Sequence, residues 1–203
     1  INLVEVSTDD DLRLQLLRCI SNLLSDTELR DSFHSLGGAR QLLIVCDNLI
    51  GMSHGANHRM QALRGLSYLC QSETLKDGLR SDGIITVLLS ALRVPSSHAS
   101  DPIAQEWAIT ALFHLAQNNH TNQTILRQEA LSILCELLES PNAGTVEHSC
   151  LTLLSLMPAP PQPGAQSAMA GGDGSGAMTA AEAFVDARTL ASSARLHSML
   201  VPL

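Results

Sequence analysis

A seven-residue block recurs along this chain at a nearly constant interval, and this internal repeat limits the folds that the chain can adopt. The block closes on a leucine each time, in steps of 46, 46 and 41 residues: Leu23, Leu69, Leu115 and Leu156. A second segment repeats in phase with the first, at 28–43, 74–89 and 124–138. Two segments that repeat in phase predict an array of similar structural units.

Each unit has the apolar spacing of helices. Apolar residues fall three and four positions apart, as on one helix face, for example at Leu63, Leu66 and Leu69. Glycines at Gly37 and Gly83 stand where one short helix would stop and the next begin. We therefore expect a short helix, a second helix and a long helix in each unit.

Such units cannot bury their apolar faces alone, so stacked neighbours must share one core. The expected fold is all-α: a right-handed α-α superhelix, or α-solenoid, of about three to four repeats. We expect the solenoid over residues 1–157, a Pro/Gly-rich flexible linker over 158–178, and a C-terminal helix over 179–203. That helix would either cap the last repeat or serve as a detachable peptide for a partner; the sequence leaves both open.

Two stretches carry a family resemblance. Residues 122–140 resemble the first two helices of an armadillo repeat, and residues 101–115, DPIAQEWAITALFHL, resemble its long third helix. Within that family, residues 60–126 are most similar to the ataxin-10 carboxy-terminal domain, through the Glu106-Trp107-Ala108-Ile109 run followed by Asn122-Gln123. His114, where that relative would have Asn, and the Gly-rich tail depart from the pattern. The resemblance implies a non-catalytic scaffold, with roles in cytokinesis or ciliary assembly through protein partners.

In an armadillo stack the long third helices line a concave groove, where equivalent positions of successive repeats form ladders. Seven polar or aromatic side chains fall on these ladders and are our candidate partner-binding residues: Arg18, Asn22, Gln61, Arg64, Tyr68, Trp107 and His114. Arginine presents a planar fork that suits carboxylates, so we expect the groove to dock an acidic or polar protein segment. The alternative is that the arginines are solvated and that Trp107 packs between repeats.

Some armadillo-repeat proteins are nuclear importers, and this chain departs from their pattern of groove residues. Those importers bind basic peptides through regularly spaced pairs of Trp and Asn. Here only Asn22 matches the Asn, and no Trp lies four residues before a ladder position. The resemblance therefore does not extend to nuclear-signal binding.

Charge and cysteine content restrict the partners and the compartment. The formal net charge is -8 and the pI is near 5.4, so the chain lacks the basic field that supports nucleic-acid binding. Five cysteines without a CxxC motif indicate free buried thiols in a reducing, cytoplasmic location. No apolar run reaches the roughly 18 to 20 residues that span a bilayer, so we expect no membrane insertion.

The sequence offers no recognisable catalytic chemistry. His54 and His58 are the one helically spaced histidine pair, and no further ligand completes a metal site. The glycine cluster at 171–176 lacks the preceding strand and the Lys-Ser/Thr ending of a phosphate loop. We expect no enzyme activity, no metal and no cofactor.

The expected function is a scaffold or adaptor that binds partner segments on the concave face. The alternative is a structural or regulatory subunit of a larger assembly, either cytoskeletal, ciliary or part of an enzyme complex. A solenoid also exposes apolar surface at its ends unless something caps them, so self-association through an end is a further expectation.

Overall fold

The computed structural model of the chain describes residues 9–48, 55–93 and 102–157. These ranges hold helices and no β-strand, so the all-α prediction is confirmed for them. The helices follow in this order: α1 (Asp10–Leu23), α2 (Thr27–Ser35), α3 (Gly38–Asn48), α4 (Ala56–Cys70), α5 (Lys76–Ser81), α6 (Ile84–Leu92), α7 (Pro102–Ala116), α8 (His120–Glu129), α9 (Leu131–Leu137) and α10 (Ala143–Leu156).

Local sequence signals set several helix boundaries. The Asp9 carboxylate caps α1, with its Oδ1 accepting from the backbone N–H groups of Asp11 at 3.0 Å and Leu12 at 3.1 Å. Gly37 and Gly83 have φ of +77° and +88° and stand directly before α3 and α6. Left-handed backbone favours glycine, so these two positions connect consecutive helices without side-chain strain.

The four long helices α1, α4, α7 and α10 pack against one another in chain order. A second helix of each unit supports this row, because α3 packs on α4, α6 on α7 and α9 on α10. Leu17, Leu63 and Ile109 follow one another at 46-residue intervals on the first three long helices, and all three are fully buried. The repeat seen in the sequence is therefore a repeat of core positions.

Three buried polar residues at the same 46-residue interval bond to carbonyls at the ends of α1 and α7. Arg30 donates from Nε to the carbonyl of Leu24 at 2.9 Å, just past α1. Lys76 donates from Nζ to the carbonyl just past α7, and Asn122 donates from Nδ2 to the carbonyl of Leu115 at 3.0 Å. The last carbonyls of a helix have no partner within it, and these side chains satisfy them.

The expectation that the cysteines are buried is wrong for two of them. Cys46 and Cys70 are buried and Cys150 is partly buried, whereas Cys19 and Cys135 are exposed. Cys19 lies on a face of α1 against which no earlier long helix packs in the described residues. All five thiols are free.

The predicted linker at 158–178 and helix at 179–203 lie outside the described residues, as does His54. Among the helices that are described, none is long and apolar enough to cross a membrane.

Candidate partner-binding surface

Three of the predicted site residues meet between α4 and α7. Arg64 and Tyr68 are four residues apart on α4 and therefore share a helix face. The ring of Trp107, on α7, has its centroid 6.0 Å from that of Tyr68, with the rings tilted by 51°. The Arg64 Cζ lies 5.7 Å from the Tyr68 centroid and 5.8 Å from the Trp107 centroid. One guanidinium thus contacts two aromatic rings at cation–π distance.

A second guanidinium reaches Tyr68 from α2. The Arg30 Cζ lies 5.9 Å from the Tyr68 ring centroid. Its Nε and Nη2 donate to the carbonyls of Leu24 and Ser25, at 2.9 and 3.2 Å, which fixes the side chain in place. We call Arg30, Arg64, Tyr68 and Trp107 the arginine–aromatic cluster.

Arg64 retains an unused donor. Its Nε is shielded from solvent and has no hydrogen-bond partner within the described part of the chain. A ligand does not reach this shielded atom in the present arrangement, but the Arg64 residue as a whole is only partly buried. Tyr68 and Trp107 are partly buried against the core, so both rings are held by packing while part of each stays accessible. The cluster combines a partly buried arginine with two partly buried aromatic side chains.

His114 extends the polar surface along α7. Its Nδ1 lies 3.2 Å from the Gln117 Oε1, and its Nε2 lies 3.4 Å from the Gln71 Nε2. Both contacts are hydrogen bonds only when Nδ1 carries the proton and Nε2 accepts, which is the neutral ring. Burial lowers the pKa of His114 below its usual 6.5, and the Gln117 hydrogen bond opposes this effect. The ring is therefore held in its neutral form.

The other predicted residues take no part in the ring and cation–π contacts that define the arginine–aromatic cluster. Arg18 and Asn22 are exposed on α1. Gln61 is buried on α4, where its Oε1 accepts from the Ser21 hydroxyl at 2.9 Å. Gln61 thus joins α4 to α1 and is not available as a surface contact.

Sequence reasoning missed three residues near this surface. The first is Arg30, which contacts Tyr68. The others are Phe113 and His148: the Phe113 ring centroid lies 5.3 Å from that of His114 and 6.3 Å from that of His148. A signal for Arg30 was present, because the register that relates the leucines also relates Arg30 to Lys76 and Asn122. His148 also has a signal, because the same register relates it to Gln61 and Trp107. Phe113 has none, since its contact with His148 depends on how α7 and α10 are placed.

Metal-ligating groups and cysteine thiols were the candidate reactive groups of the described residues. No group of three or more His, Cys, Asp or Glu among them could hold a metal ion. Burial raises the pKa of the Cys46 thiol well above its usual range and that of Cys70 to about 12. Both thiols stay protonated near neutral pH, and a protonated thiol is a poor nucleophile.

Comparison with known proteins gives no relative from which to transfer a function. No protein-family model, no curated protein and no solved structure matches this chain.

Proposed function

We propose that this chain is a non-catalytic interaction module that binds acidic or polar segments of partner proteins at the arginine–aromatic cluster. The observation that carries the proposal is the Arg64 side chain, which contacts Tyr68 and Trp107 and belongs to a residue that is only partly buried. A carboxylate or backbone carbonyl brought to this guanidinium would accept a charge-assisted hydrogen bond from it.

The geometry of the cluster favours a peptide segment as the ligand. Tyrosine, tryptophan and arginine dominate the binding energy of protein interfaces, and here they converge from different helices. Arg30 is already bonded to two carbonyls, so it orients Tyr68 and adds positive charge. Arg64 then supplies the directional contact, and the accessible parts of the rings supply apolar area.

Within this proposal, the row of long helices is part of a right-handed armadillo-type superhelix, and the cluster lies on its concave face. The 46-residue register of core positions and the packing of the long helices in chain order support this arrangement. We also propose kinship with the ataxin-10 carboxy-terminal domain, with its roles in cytokinesis and cilia. The five free thiols support a cytoplasmic location.

Selection from a random peptide library displayed on phage tests the proposal without a known partner. We expect the immobilised full chain to enrich peptides rich in Asp or Glu. The selected peptides should bind an Arg64→Gln variant at least about 10-fold more weakly, because a hydrogen bond to a charged group contributes about 1.5–3 kcal/mol. Fluorescence polarisation of labelled peptides measures the change.

Arg40→Gln is the matched control. Arg40 is an exposed arginine on α3, outside the cluster, so its substitution removes the same charge and should leave affinity unchanged. Selected peptides without acidic enrichment, or equal affinity for the Arg64→Gln and wild-type chains, would refute the proposal.

A second candidate function is that of a subunit in a larger assembly. Exposed apolar residues at both ends of the helical row favour it, among them Leu12, Leu23 and Leu154. Peptide binding and assembly use different surfaces here, so the Arg64→Gln variant leaves assembly intact if both functions exist.

A further inference from the structure

The first long helix exposes a face that is buried on the helices after it. Leu12, Leu16, Cys19 and Leu23 recur at four- and three-residue steps on α1 and therefore share a face, which we call the leading face. Leu12 is 50% exposed and Leu23 is 58% exposed. Cys19 is also exposed, whereas Leu16 is partly buried against the core. A contiguous exposed apolar patch on a helix face is typical of an interaction surface.

The repeat shows what covers this face elsewhere in the chain. One and two repeats further on, the equivalent positions are all buried: His58, Ala62, Gly65 and Leu69 on α4, and Ala104, Ala108, Ala111 and Leu115 on α7. On α4 the covering element includes α1. A Cβ built on Gly65 would lie 3.4 Å from the Leu24 side chain, and Gln61 accepts a hydrogen bond from Ser21. The leading face is thus the face that receives a preceding long helix.

The opposite end of the row exposes the complementary half of the same contact. On α10 and its C-cap, Cys150, Leu154 and Met157 form what we call the trailing face, and Leu154 is 38% exposed. In the register of the closing leucines, these positions are equivalent to residues that are fully buried or nearly so on the first two long helices: Leu17, Ser21 and Leu24, and Leu63, Ser67 and Cys70. Ser21 and Leu24 are residues that meet α4, so the trailing face is the one that would meet a following long helix.

We infer that the leading face of one copy of this chain binds the trailing face of a second copy, head to tail. The chain already joins these two kinds of face inside itself, between α1 and α4 and again between α4 and α7. A second copy supplies a complementary face at each end of the described helical row. Such a contact is heterologous, so it leaves one face of each kind free and permits further addition.

The intermolecular contact differs from the internal one in spacing. Leu16 and Cys19 stand where α4 has Ala62 and Gly65, and larger side chains hold helices farther apart. We therefore expect a contact that is weaker than the internal ones and depends on protein concentration.

Sedimentation velocity of the full chain across a concentration series tests the inference. We expect reversible growth beyond the monomer. Leu23→Glu and Leu154→Glu should each weaken self-association about 10- to 100-fold, because each removes one leucine from the contact and places a charge there. Leu36→Glu is the control, since Leu36 is 76% exposed, lies outside both faces and has Asp82 at the equivalent position.

Mixing the two variants distinguishes a head-to-tail contact from a symmetric one. Leu23→Glu disrupts the leading face and leaves the trailing face unaltered. Leu154→Glu disrupts the trailing face and leaves the leading face unaltered. Together they should form a complex of one copy of each that does not grow further. Circular dichroism first establishes that both variants keep the wild-type helix content.

Three results would overturn the inference. The first is a wild-type chain that stays monomeric throughout the series, including the case in which residues of the same chain cover the faces. The second is an equal loss of association in Leu36→Glu. The third is a mixture of the two variants that fails to form the one-to-one complex.

Discussion

Lys76 shows most clearly how burial decides the behaviour of a single residue. It is the only lysine in the sequence and is 1% exposed. Its ammonium donates to the Glu73 carboxylate at 2.8 Å and to the carbonyl that follows α7. The charge is therefore paired and hydrogen-bonded, which is what a buried cation requires. Lys76 acts as part of the core, although its side chain is of a type usually found at the surface.

This burial predicts that amine reagents do not reach Lys76 while the chain is folded. We expect an N-hydroxysuccinimide ester to acylate Lys76 at least about 100-fold more slowly in the native chain than in urea, because reaction requires local opening. Peptide mass spectrometry of timed samples measures the two rates. Acylation of the native chain at the rate seen in urea would contradict the buried placement.

His114 predicts a pH dependence of stability. Its pKa in the folded chain is lowered, chiefly by burial, so the unfolded chain binds a proton on this residue more readily. The free energy of unfolding should thus have its full value above the unfolded pKa of about 6.5 and fall as the pH drops below it. Urea titrations at pH 7 and pH 5 measure this loss.

A His114→Gln variant isolates the contribution of that ring from those of the other histidines. Glutamine does not titrate in this range, so the variant should lose less stability than the wild type between pH 7 and pH 5. Equal losses in the two proteins would show that His114 is not the group responsible.

At the scale of helices, the sequence predicts which residues are buried better than it predicts which residues touch. The 46-residue register and the three- and four-residue apolar spacing correctly indicate the long helices and their core positions, such as Leu63 and Ile109. The contact between Tyr68 and Trp107 does not follow from that register, which places them on different ladders. It depends on the axial offset between α4 and α7, which is set by tertiary packing.

The buried polar side chains that bond to carbonyls at the helix ends allow a prediction about stability. Asn122 is fully buried, donates to the carbonyl of Leu115 and accepts from the Arg80 Nη1 at 3.0 Å. Asn122→Ala removes both bonds and should lower the free energy of unfolding by about 1–3 kcal/mol. Urea denaturation measures the change.

Asn57→Ala is the matched control for that substitution. Asn57 is exposed in the first turn of α4, so its replacement should change stability by no more than about 0.5 kcal/mol. If Asn57→Ala and Asn122→Ala lowered the free energy of unfolding by similar amounts, the hydrogen bonds of the buried Asn122 side chain would not stabilise the fold.

Over the whole molecule, the helical row offers two kinds of surface, for which we propose different partners. The arginine–aromatic cluster lies between α4 and α7 in the middle of the row, whereas the leading and trailing faces lie at its ends. The net charge of -8 opposes the approach of acidic segments at long range, so the proposed binding depends on short-range contacts to Arg64. Partner binding and self-association can therefore be altered separately.

The emission of Trp107 is the most direct test of the proposed binding site, because it is the only tryptophan in the chain and belongs to the cluster. We predict that titration with an unlabelled acidic peptide, taken from the library selection and free of tryptophan, changes this emission. The change should saturate with the dissociation constant obtained by polarisation and be absent in Arg64→Gln at the same peptide concentrations. Saturable peptide binding that leaves the Trp107 emission unchanged would place the site elsewhere and contradict the proposed function.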